Sequence, residues 1–365
     1  MLSERMSRID PSGVRRMFSL ASRMENPLNF SLGQPDADVP DEIKEVLIEA
    51  IRRGCNRYSP TAGYPELLEA VAAKLKTKNG INAEPTNILI TAGVSGGLNL
   101  SYSALFDPGD ELIMADPYFV LYKELARFLG AVPRFVDTYP TFDLKAEQVE
   151  RLITSKTKAI MINSPNNPTG AVIEPEELEK LAWVARRHDL LVISDEIYED
   201  FVYQRRHFSI GSIYEKTLTL NGLSKSHAMM GWRLGYAHGP RELIQAMSEL
   251  QQYSFVCAPT LVQVAAVRAL QTSSEGIVGQ HRHKRNIVVE TLGDRFTIHG
   301  AQGAFYVFLE APDGDGDAFV DRAVEQNVFV VPGSTFSEKH SHFRMCYAVP
   351  DDVLIKGTEI LKTLK

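Results

Sequence analysis

Five short apolar runs in the middle of the chain constrain its fold more than any other feature. Each is apolar almost throughout, as expected for strands that are buried on both faces of a sheet. Helical or turn-rich segments separate the runs, and strands that alternate with helices form a mostly parallel sheet covered by helices on both sides. The sequence therefore predicts an α/β fold from these runs, which occupy residues 88–91, 111–114, 159–162, 190–193 and 217–220.

Helical spacing of apolar residues marks segments on both sides of these runs. It predicts helices over residues 40–51, 65–77 and 175–188. It also predicts a long helix that starts at residue 258 and extends through the basic segment 281–285.

The pattern changes after about residue 255, which indicates a second domain. Strand-like segments near residues 303–309, 328–331 and 343–347 suggest a smaller α+β unit. A chain of 365 residues also exceeds the size at which a single core usually stops growing. We expect an N-terminal segment that joins the small domain and the substrate pocket, a large domain, and a small C-terminal domain, over residues 1–40, 41–255 and 256–365.

Composition excludes several classes of protein. The net charge is −7 and the basic pairs are dispersed, whereas a nucleic-acid partner requires a clustered basic face. The three cysteines lie far apart and form neither a disulfide nor a zinc pattern. No run approaches the roughly 18 apolar residues of a membrane span, and the N-terminus lacks the apolar core of a signal peptide. We expect a cytoplasmic protein with no nucleic-acid partner, no membrane and no bound metal.

The sequence contains neither a complete calcium-binding loop nor a nucleotide-binding motif. The acidic segment 313–317 has the alternating carboxylates of a calcium loop, but Ala318 and Val324 occupy positions that need glycine and glutamate. A solvated turn is the better interpretation. Neither a G-x-G-x-x-G segment after a strand nor a P-loop motif is present, so no site for a nicotinamide dinucleotide or a P-loop nucleotide is predicted.

Lys225 is the first candidate for chemistry. It follows the apolar run 217–220 and precedes a short apolar segment at 234–237, so we expect it on a loop between buried strands. Desolvation there lowers the pKa of the ammonium group, and a neutral amine forms a Schiff base with a carbonyl. Arg233 and its nearby glycines suit a phosphate, and the two features together suggest pyridoxal phosphate. For an isolated Ser-Lys pair, an ordinary surface lysine is the alternative.

Two polar loops follow predicted strands. The Gly- and Ser-rich segment 91–98 opens a helical pattern, and such a turn presents free amides and the positive end of a helix dipole to phosphate. The segment 163–170 contains two asparagines before a proline and forms a rigid polar loop. A tight connection and turn chemistry are the structural alternatives for these two loops.

Asp195 stands at the end of a fully apolar run, where a carboxylate requires a cation. The pyridinium nitrogen of the cofactor is a suitable one, because Asp195 would keep it protonated and strengthen the ring as an electron sink. Tyr198, three residues further on, can reach the phenolate oxygen of that ring. A helix N-cap is the alternative role for Asp195.

An aromatic residue and an arginine complete the set. Phe119 follows a predicted strand and can stack on a planar ring. Arg344 lies in an otherwise apolar strand, and a buried guanidinium group must find an anion. A substrate carboxylate would satisfy it, and a structural ion pair is the alternative.

The order of these motifs resembles the class I/II aminotransferases of pyridoxal phosphate fold type I, most closely their short prokaryotic branch of aspartate and aromatic aminotransferases. The resemblance extends from about Pro11 to Tyr347 and implies a large domain with a mostly parallel, seven-stranded sheet plus a smaller α+β domain. The residues that carry it are Tyr58, Gly93, Asn167 with the Pro-Thr-Gly that follows, Asp195, Tyr198, Ser224, Lys225, Arg233 and Arg344.

The resemblance implies a role for each of these residues. Lys225 would carry the cofactor and shuttle a proton between the substrate α-carbon and the cofactor C4′ carbon. Asp195 would pair with the pyridine nitrogen, Tyr198 and Asn167 would bind the phenolate oxygen, and Phe119 would stack on the ring. The remaining roles are the phosphate site, formed by Val94, Ser95, Ser224, Arg233 and the partner subunit's Tyr58, and the α-carboxylate site, formed by Arg344, Asn167 and the Gly33 backbone.

A site that is completed by Tyr58 from a second subunit implies a homodimer. Two departures from the family concern one edge of the substrate pocket: the loop 334–342 is short, and Ser337 stands where glycine is frequent. A dicarboxylic substrate needs a second cation, for which the candidates are Arg15, Arg16 and Lys339.

The expected reaction moves the amino group of an α-amino acid to a 2-oxo acid such as 2-oxoglutarate in two half-reactions. Aspartate or glutamate is the preferred donor, followed by aromatic amino acids. A β- or γ-eliminating lyase on the same fold is the alternative enzyme. A non-enzymatic regulator is disfavoured, because the resemblance starts near the N-terminus and leaves no room for a DNA-binding domain.

Overall fold

A seven-stranded sheet is the centre of the structure, a computed structural model that describes residues 2–364. The helices are α1 (Gly13–Ala21), α2 (Asp41–Arg52), α3 (Pro65–Asn79), α4 (Gly93–Leu105), α5 (Val120–Leu129), α6 (Ala146–Arg151), α7 (Pro175–Arg187), α8 (Arg241–Ser254), α9 (Thr260–Gln271), α10 (Glu275–Leu292), α11 (Gly316–Glu325) and α12 (Asp351–Thr363). The strands are β1 (Leu28–Asn29), β2 (Ile88–Thr91), β3 (Glu111–Asp116), β4 (Val132–Asp137), β5 (Thr157–Asn163), β6 (Leu191–Asp195), β7 (Thr217–Gly222), β8 (Gly235–His238), β9 (Tyr306–Glu310), β10 (Val328–Phe329), β11 (Val331–Pro332) and β12 (His342–Cys346).

The strands of the large sheet lie in the order β2-β8-β7-β6-β5-β3-β4. Strand β8 runs antiparallel to both of its neighbours and the other pairings are parallel, which confirms the predicted α/β fold. Alternate residues of β5 face opposite sides: Ala159 and Met161 pack toward α4, α5 and α8, whereas Ile160 and Ile162 pack toward α7. Burial on both faces is the reason why these strands are nearly continuous apolar runs.

The carboxyl ends of the parallel strands meet at one edge of this sheet. Strands β2, β3, β5, β6 and β7 end there, each followed directly by one of the polar segments that the sequence singles out. Ligands of open α/β sheets bind beyond this edge. The topology therefore brings loops that are far apart in the sequence to one place.

A three-stranded antiparallel sheet, in the order β11-β12-β9, forms the core of the C-terminal part. The N-terminal segment joins it through the parallel pair of β1 and β10, and Phe30 packs in the same apolar cluster as Phe329 and Leu354. The predicted strand 328–331 is thus two short strands, β10 and β11, that belong to different sheets.

Several elements differ from the sequence-based prediction, among them α1, β4 and the pair α9 and α10. The long helix expected from residue 258 is divided into α9 and α10, because Thr272 adopts an extended backbone and its carbonyl oxygen accepts a hydrogen bond from His227 Nε2. Helix α1 was not predicted, although the Ser12 hydroxyl caps it by accepting from the Arg15 N–H. Strand β4 was not predicted either, because most of its residues at the sheet edge are partly exposed and form no apolar run.

Helix α9 lies beyond the predicted domain boundary at residue 255, yet it packs against α2 and α3. Ala265 and Ala269 of α9 share an apolar cluster with Ile43 of α2. The three-part division of the chain stays a prediction. None of the helices within residues 2–364 is long and apolar enough to cross a membrane.

Candidate active site

One cavity of about 510 Å³ lies at the carboxyl edge of the large sheet. Among the residues with a predicted catalytic, cofactor-binding or α-carboxylate-binding role, Tyr58 is the one that does not line it, and Tyr58 is 80% exposed. The fold therefore gathers the other predicted residues into a single site: Gly33, Val94, Ser95, Phe119, Asn167, Asp195, Tyr198, Ser224, Lys225, Arg233 and Arg344.

Lys225 enters the cavity from the loop after β7. Its Nζ donates a hydrogen bond to the Gly33 carbonyl oxygen at 2.7 Å and lies 5.9 Å from the centre of the Tyr198 ring. Burial lowers the pKa of Lys225 to about 8, and the guanidinium groups of Arg233 and Arg344 act in the same direction. A substantial fraction of the amine is therefore neutral at mildly alkaline pH, as attack on a carbonyl requires.

Asp195 is buried at the end of β6. Its Oδ2 accepts a hydrogen bond from the Tyr122 hydroxyl at 2.8 Å, and its Oδ1 accepts one from the Ile197 N–H at 3.1 Å. Burial raises the pKa of Asp195 to about 6, while these two hydrogen bonds favour the charged form. A short 3₁₀ turn follows rather than an α-helix, so an N-cap role does not account for the residue. A buried carboxylate at a cavity wall suits a cationic ring nitrogen.

Arg344 is 1% exposed and lies in β12. Its Nη1 donates a hydrogen bond to Asn167 Oδ1 at 3.0 Å, and its Nη2 donates one to the Ser31 carbonyl oxygen at 2.5 Å. Its Nε has no partner among the described residues. Neutral oxygens rather than a carboxylate hold the guanidinium group, so a structural ion pair does not explain it. A buried cation beside a cavity suits an anionic ligand such as a carboxylate.

The N-terminus of α4 and Arg233 form a concave, electropositive surface. Helix α4 begins at Gly93 after Ala92, which has no side-chain acceptor for the first amides, and Val94 and Ser95 line the cavity. A Cβ at Gly93 would lie 2.7 Å from Arg233 Nη2, so any larger residue would fill this cradle. Free amides, the helix dipole and a guanidinium group together suit a phosphate.

Asn167 and Phe119 lie on two further loops at the cavity wall. The Asn167 N–H donates to Asn163 Oδ1 at 2.9 Å, and Asn163 Nδ2 donates to the Asp195 carbonyl oxygen at 2.9 Å. These bonds hold the loop that contains Asn167 against the end of β6. The Phe119 ring packs edge to face on Tyr122 with ring centres 5.5 Å apart, and an aromatic ring in this place can stack on a planar ligand.

The groups around the cavity fit pyridoxal phosphate. The Lys225 amine has the lowered pKa that a reaction with the aldehyde requires. The buried Asp195 carboxylate complements a protonated ring nitrogen, and the cradle at Gly93 and Arg233 complements the phosphate. The aldehyde, the ring nitrogen and the phosphate of the cofactor thus each have a complementary group in this chain.

Sequence reasoning assigns no role to four of the polar residues that line the cavity, namely Ser12, Tyr122, Asn163 and Tyr306. Tyr122 follows Phe119 by one helical turn, and this spacing was an available signal that both side chains face the same strand ends. Asn163 ends an apolar run, as Asp195 does, and this position was a second available signal. Tyr306 stands in an aromatic strand, where no local pattern distinguishes it from a core residue.

A second buried group of titratable side chains lies outside the cavity. Glu196, Glu199 and His207 place possible ligand atoms within 4.8 Å of one another. Lys74 Nζ lies 2.5 Å and Lys78 Nζ 3.4 Å from Glu199. Although burial opposes ionisation, these lysines lower the pKa of Glu199 to about 2. Since the chain's own cations compensate the carboxylates, we interpret this cluster as a structural network behind the site.

The comparisons with known proteins agree on one family. Residues 25–358 match the family model described as aminotransferase class I and II. The chain is 39% identical to the aspartate/prephenate aminotransferase of Thermus thermophilus, over 98% of this chain and 97% of the relative. It is 37% identical to aromatic-amino-acid aminotransferase 2 of Thermococcus litoralis, over 100% and 98%. A solved structure of Thermus thermophilus aspartate aminotransferase with maleate has a TM-score of 0.95 and 38% identity over 100% of both chains.

The family match and the geometry of the cavity point to the same chemistry. Both relatives named above are aminotransferases and share nearly their whole length with this chain. The cavity brings together an amine, a buried carboxylate and an anion cradle, three kinds of group that complement pyridoxal phosphate. The chain belongs to the class I and II aminotransferases and is a transaminase that uses pyridoxal phosphate.

Proposed function

We propose that the enzyme transfers the amino group of a dicarboxylic amino acid, aspartate or glutamate, to a 2-oxo acid such as 2-oxoglutarate. One observation supports this preference: the guanidinium residues Arg15 and Arg344 line the same cavity as Lys225. A dicarboxylate has two anionic groups, and each binds best to a cation of its own. Aromatic amino acids are the second candidates, because Val14 and Phe18 add apolar surface beside Arg15.

Arg15 reaches the cavity from α1, which lies in the N-terminal segment that is predicted to join the substrate pocket. Arg16 is exposed and is not among the lining residues. Lys339 Nζ lies 2.8 Å from Asp137 Oδ2 and is likewise not a lining residue. Of the three basic candidates, Arg15 is therefore the one whose position favours contact with a side-chain carboxylate.

Lys225 and Asp195 carry the chemistry in this proposal. When bound, pyridoxal phosphate supplies an aldehyde that accepts the amino group and a ring that withdraws electrons from the substrate α-carbon. Asp195 holds a proton on the ring nitrogen. Lys225 Nζ moves a proton between the substrate α-carbon and the cofactor C4′ carbon, and a pKa of about 8 suits this exchange near neutral pH.

The other cavity residues position the reactants. Tyr198 and Asn167 bind the phenolate oxygen of the cofactor, and Phe119 stacks on its ring. Arg344 binds the α-carboxylate of the substrate, with the Gly33 backbone nearby. The phosphate is bound by the amides of Val94 and Ser95, the Ser224 hydroxyl and the Arg233 guanidinium group.

The proposed enzyme is a homodimer with shared active sites. Tyr58 and Tyr253 are 80% and 88% exposed. Their segments are neighbours, because Gln251 Nε2 of the helix that carries Tyr253 donates a hydrogen bond to the Thr61 carbonyl oxygen at 2.7 Å. Large aromatic groups exposed close together mark an interaction surface. In the dimer, Tyr58 contacts the phosphate in the partner's cavity rather than in its own. A cytoplasmic location of this dimer stays a prediction.

A half-reaction screen tests the proposed substrates. Holoenzyme is mixed with one amino acid at a time, and the change of its visible absorption is followed. We expect aspartate and glutamate to react with the highest kcat/KM and aromatic amino acids to come second. Arg15→Met should lower kcat/KM for aspartate roughly tenfold or more, because one charged hydrogen-bond partner is lost. It should leave kcat/KM for phenylalanine within about twofold of the wild-type value.

Arg16→Met is the matched control, since it removes the neighbouring arginine that does not line the cavity. It should leave all rates unchanged. An Arg15→Met variant that slows every donor equally would contradict the proposed specificity. An enzyme that consumes amino acids without a lasting change of its absorption would indicate elimination instead of transamination.

A further inference from the structure

We propose that Tyr306 is a positioning residue that connects the carboxylate-binding Arg344 with the hydroxyl group of Tyr198. The inference rests on the roles proposed above for Arg344 and Tyr198. Tyr306 lies in β9, is 1% exposed and lines the cavity, and none of those roles uses it. Its contacts place one side chain against both the substrate-binding and the cofactor-binding part of the site.

The ring of Tyr306 supports the guanidinium group of Arg344. Its centre lies 4.7 Å from Arg344 Cζ, and the centre of the Phe336 ring lies 4.5 Å from the same atom. Contact with aromatic faces stabilises a desolvated cation. Hydrogen bonds to Asn167 and Ser31 hold the two Nη atoms. The ring therefore helps to keep Arg344 in the orientation in which it binds a carboxylate.

The hydroxyl of Tyr306 contacts two other parts of the site. Its oxygen lies 2.8 Å from the Tyr198 hydroxyl oxygen, with the two rings nearly perpendicular at 87°. It also lies against Gly33, where a Cβ would be only 2.1 Å away. The Gly33 carbonyl oxygen accepts the hydrogen bond from Lys225. One hydroxyl thus touches Tyr198 and the backbone that holds Lys225.

The chemistry of the site determines the direction of the hydrogen bond between the two tyrosines. Since Tyr198 donates its proton to the phenolate oxygen of the cofactor, it must accept a hydrogen bond from Tyr306. Burial raises the pKa of Tyr198, and the hydrogen bond from Tyr306 opposes this rise. A hydroxyl that accepts a hydrogen bond also donates more strongly. Tyr306 therefore strengthens the bond that Tyr198 makes to the cofactor.

Tyr306→Phe tests this link, because it removes the hydroxyl and keeps the ring. A weaker donor at Tyr198 leaves more negative charge on the phenolate oxygen, so the Lys225 nitrogen holds its proton to higher pH. In a pH titration of the holoenzyme's visible absorption, we expect the midpoint to rise by roughly half a unit. The Kd of succinate, a dicarboxylate that cannot be transaminated, should stay within about twofold of the wild-type value.

Tyr214→Phe is the matched control, and Tyr306→Leu tests the ring. Tyr214 is a buried tyrosine whose hydroxyl donates to the Leu190 carbonyl oxygen at 2.6 Å, at the amino edge of the sheet, so its loss should change neither measurement. Tyr306→Leu should add a roughly fivefold rise in the Kd of succinate. A Tyr306→Phe variant that titrates like the wild type would overturn the proposal, and this variant decides it even where the leucine variant fails to fold.

A double-mutant cycle tests whether the effect passes through Tyr198. In a Tyr198→Phe background, Tyr306→Phe should cause no further shift of the titration midpoint, because the group that relays the effect is absent. An equal shift in both backgrounds would overturn the link. The titration and succinate binding do not depend on turnover, so failure of the proposed function, seen as no reaction with any amino acid, is distinguishable from failure of this link.

Discussion

At Lys225, burial converts an ordinary ammonium group into a partly neutral amine. Its pKa falls from 10.5 to about 8, chiefly because the charged form loses hydration. In the unfolded chain the same amine has its ordinary pKa of 10.5 and stays protonated to higher pH. Folding of the cofactor-free protein therefore releases a proton between about pH 8 and 10.5, and the unfavourable contribution of Lys225 to stability fades as the pH rises through this window.

Lys225→Met should therefore stabilise the cofactor-free protein at pH 7. The gain in the free energy of unfolding should reach up to about 3 kcal/mol, because a buried charge is replaced by an apolar chain of similar length. The gain should shrink between pH 8 and 10.5. Denaturant unfolding monitored across this range measures it.

Lys356→Met is the control for this comparison, because Lys356 is exposed on α12. It should leave the free energy of unfolding nearly unchanged at every pH. A stability difference between Lys225→Met and the wild type that does not vary with pH would show that Lys225 is not desolvated as described.

Among the secondary-structure elements, the first turn of α4 has the most constrained geometry. Gly93 adopts φ +71°, a conformation that side chains disfavour, and its missing Cβ leaves room for the Arg233 guanidinium group. Gly235 of β8 allows an equally close approach, because a Cβ there would lie 2.8 Å from the Val94 nitrogen. Two glycines on different elements thus shape one anion cradle.

Gly93→Ala should damage this cradle in two ways. Left-handed backbone at an alanine costs about 1 kcal/mol of stability. The added methyl also displaces Arg233 Nη2, which lies 2.7 Å from the Cβ position. We expect the affinity for pyridoxal phosphate to fall roughly tenfold or more, measured by titrating the cofactor into cofactor-free protein.

Gly54→Ala separates the strain from the lost contact. Gly54 has φ +73°, nearly the value of Gly93, but its Cβ would meet nothing within 4 Å. This variant should lose a similar amount of stability and bind the cofactor like the wild type. Equal affinity in Gly93→Ala and Gly54→Ala would contradict the assignment of the phosphate to this cradle.

For the whole molecule, the position of Tyr58 outside its own cavity is the main feature that one chain does not explain. A mixture of two inactive variants, Tyr58→Ala and Lys225→Ala, tests the shared site after the subunits are exchanged. In a mixed dimer, one cavity combines an intact Lys225 with an intact Tyr58, and the other lacks both. With random exchange, roughly a quarter of all sites should recover tight cofactor binding and activity. Each variant treated alone is the control, and no recovery in the mixture would indicate a self-contained subunit.

The local sequence pattern predicted most strands of the large sheet and the charged residues of the cavity. Both predictions depend on the burial of the strands. A strand buried on both faces is apolar throughout, so a polar residue at or beyond its end is conspicuous, as Asp195 is at the end of β6 and Lys225 is after β7. Arg344 is conspicuous within β12 because a charge inside an apolar strand is costly. Strand β4 and helix α1 carry weaker signals, since β4 is partly exposed at the sheet edge and α1 is largely exposed at the surface.

The sequence by itself determined which residues bring charge into buried places, because the cost of burying a charge is a local property of the chain. Only the tertiary structure decided which of them meet. Tyr306 and Tyr198 are 108 residues apart, and Tyr122 and Asp195 are 73 apart, so no periodicity links them. Their hydrogen bonds arise from how separate helices and strands pack around one sheet edge, and that packing is a property of the folded molecule as a whole.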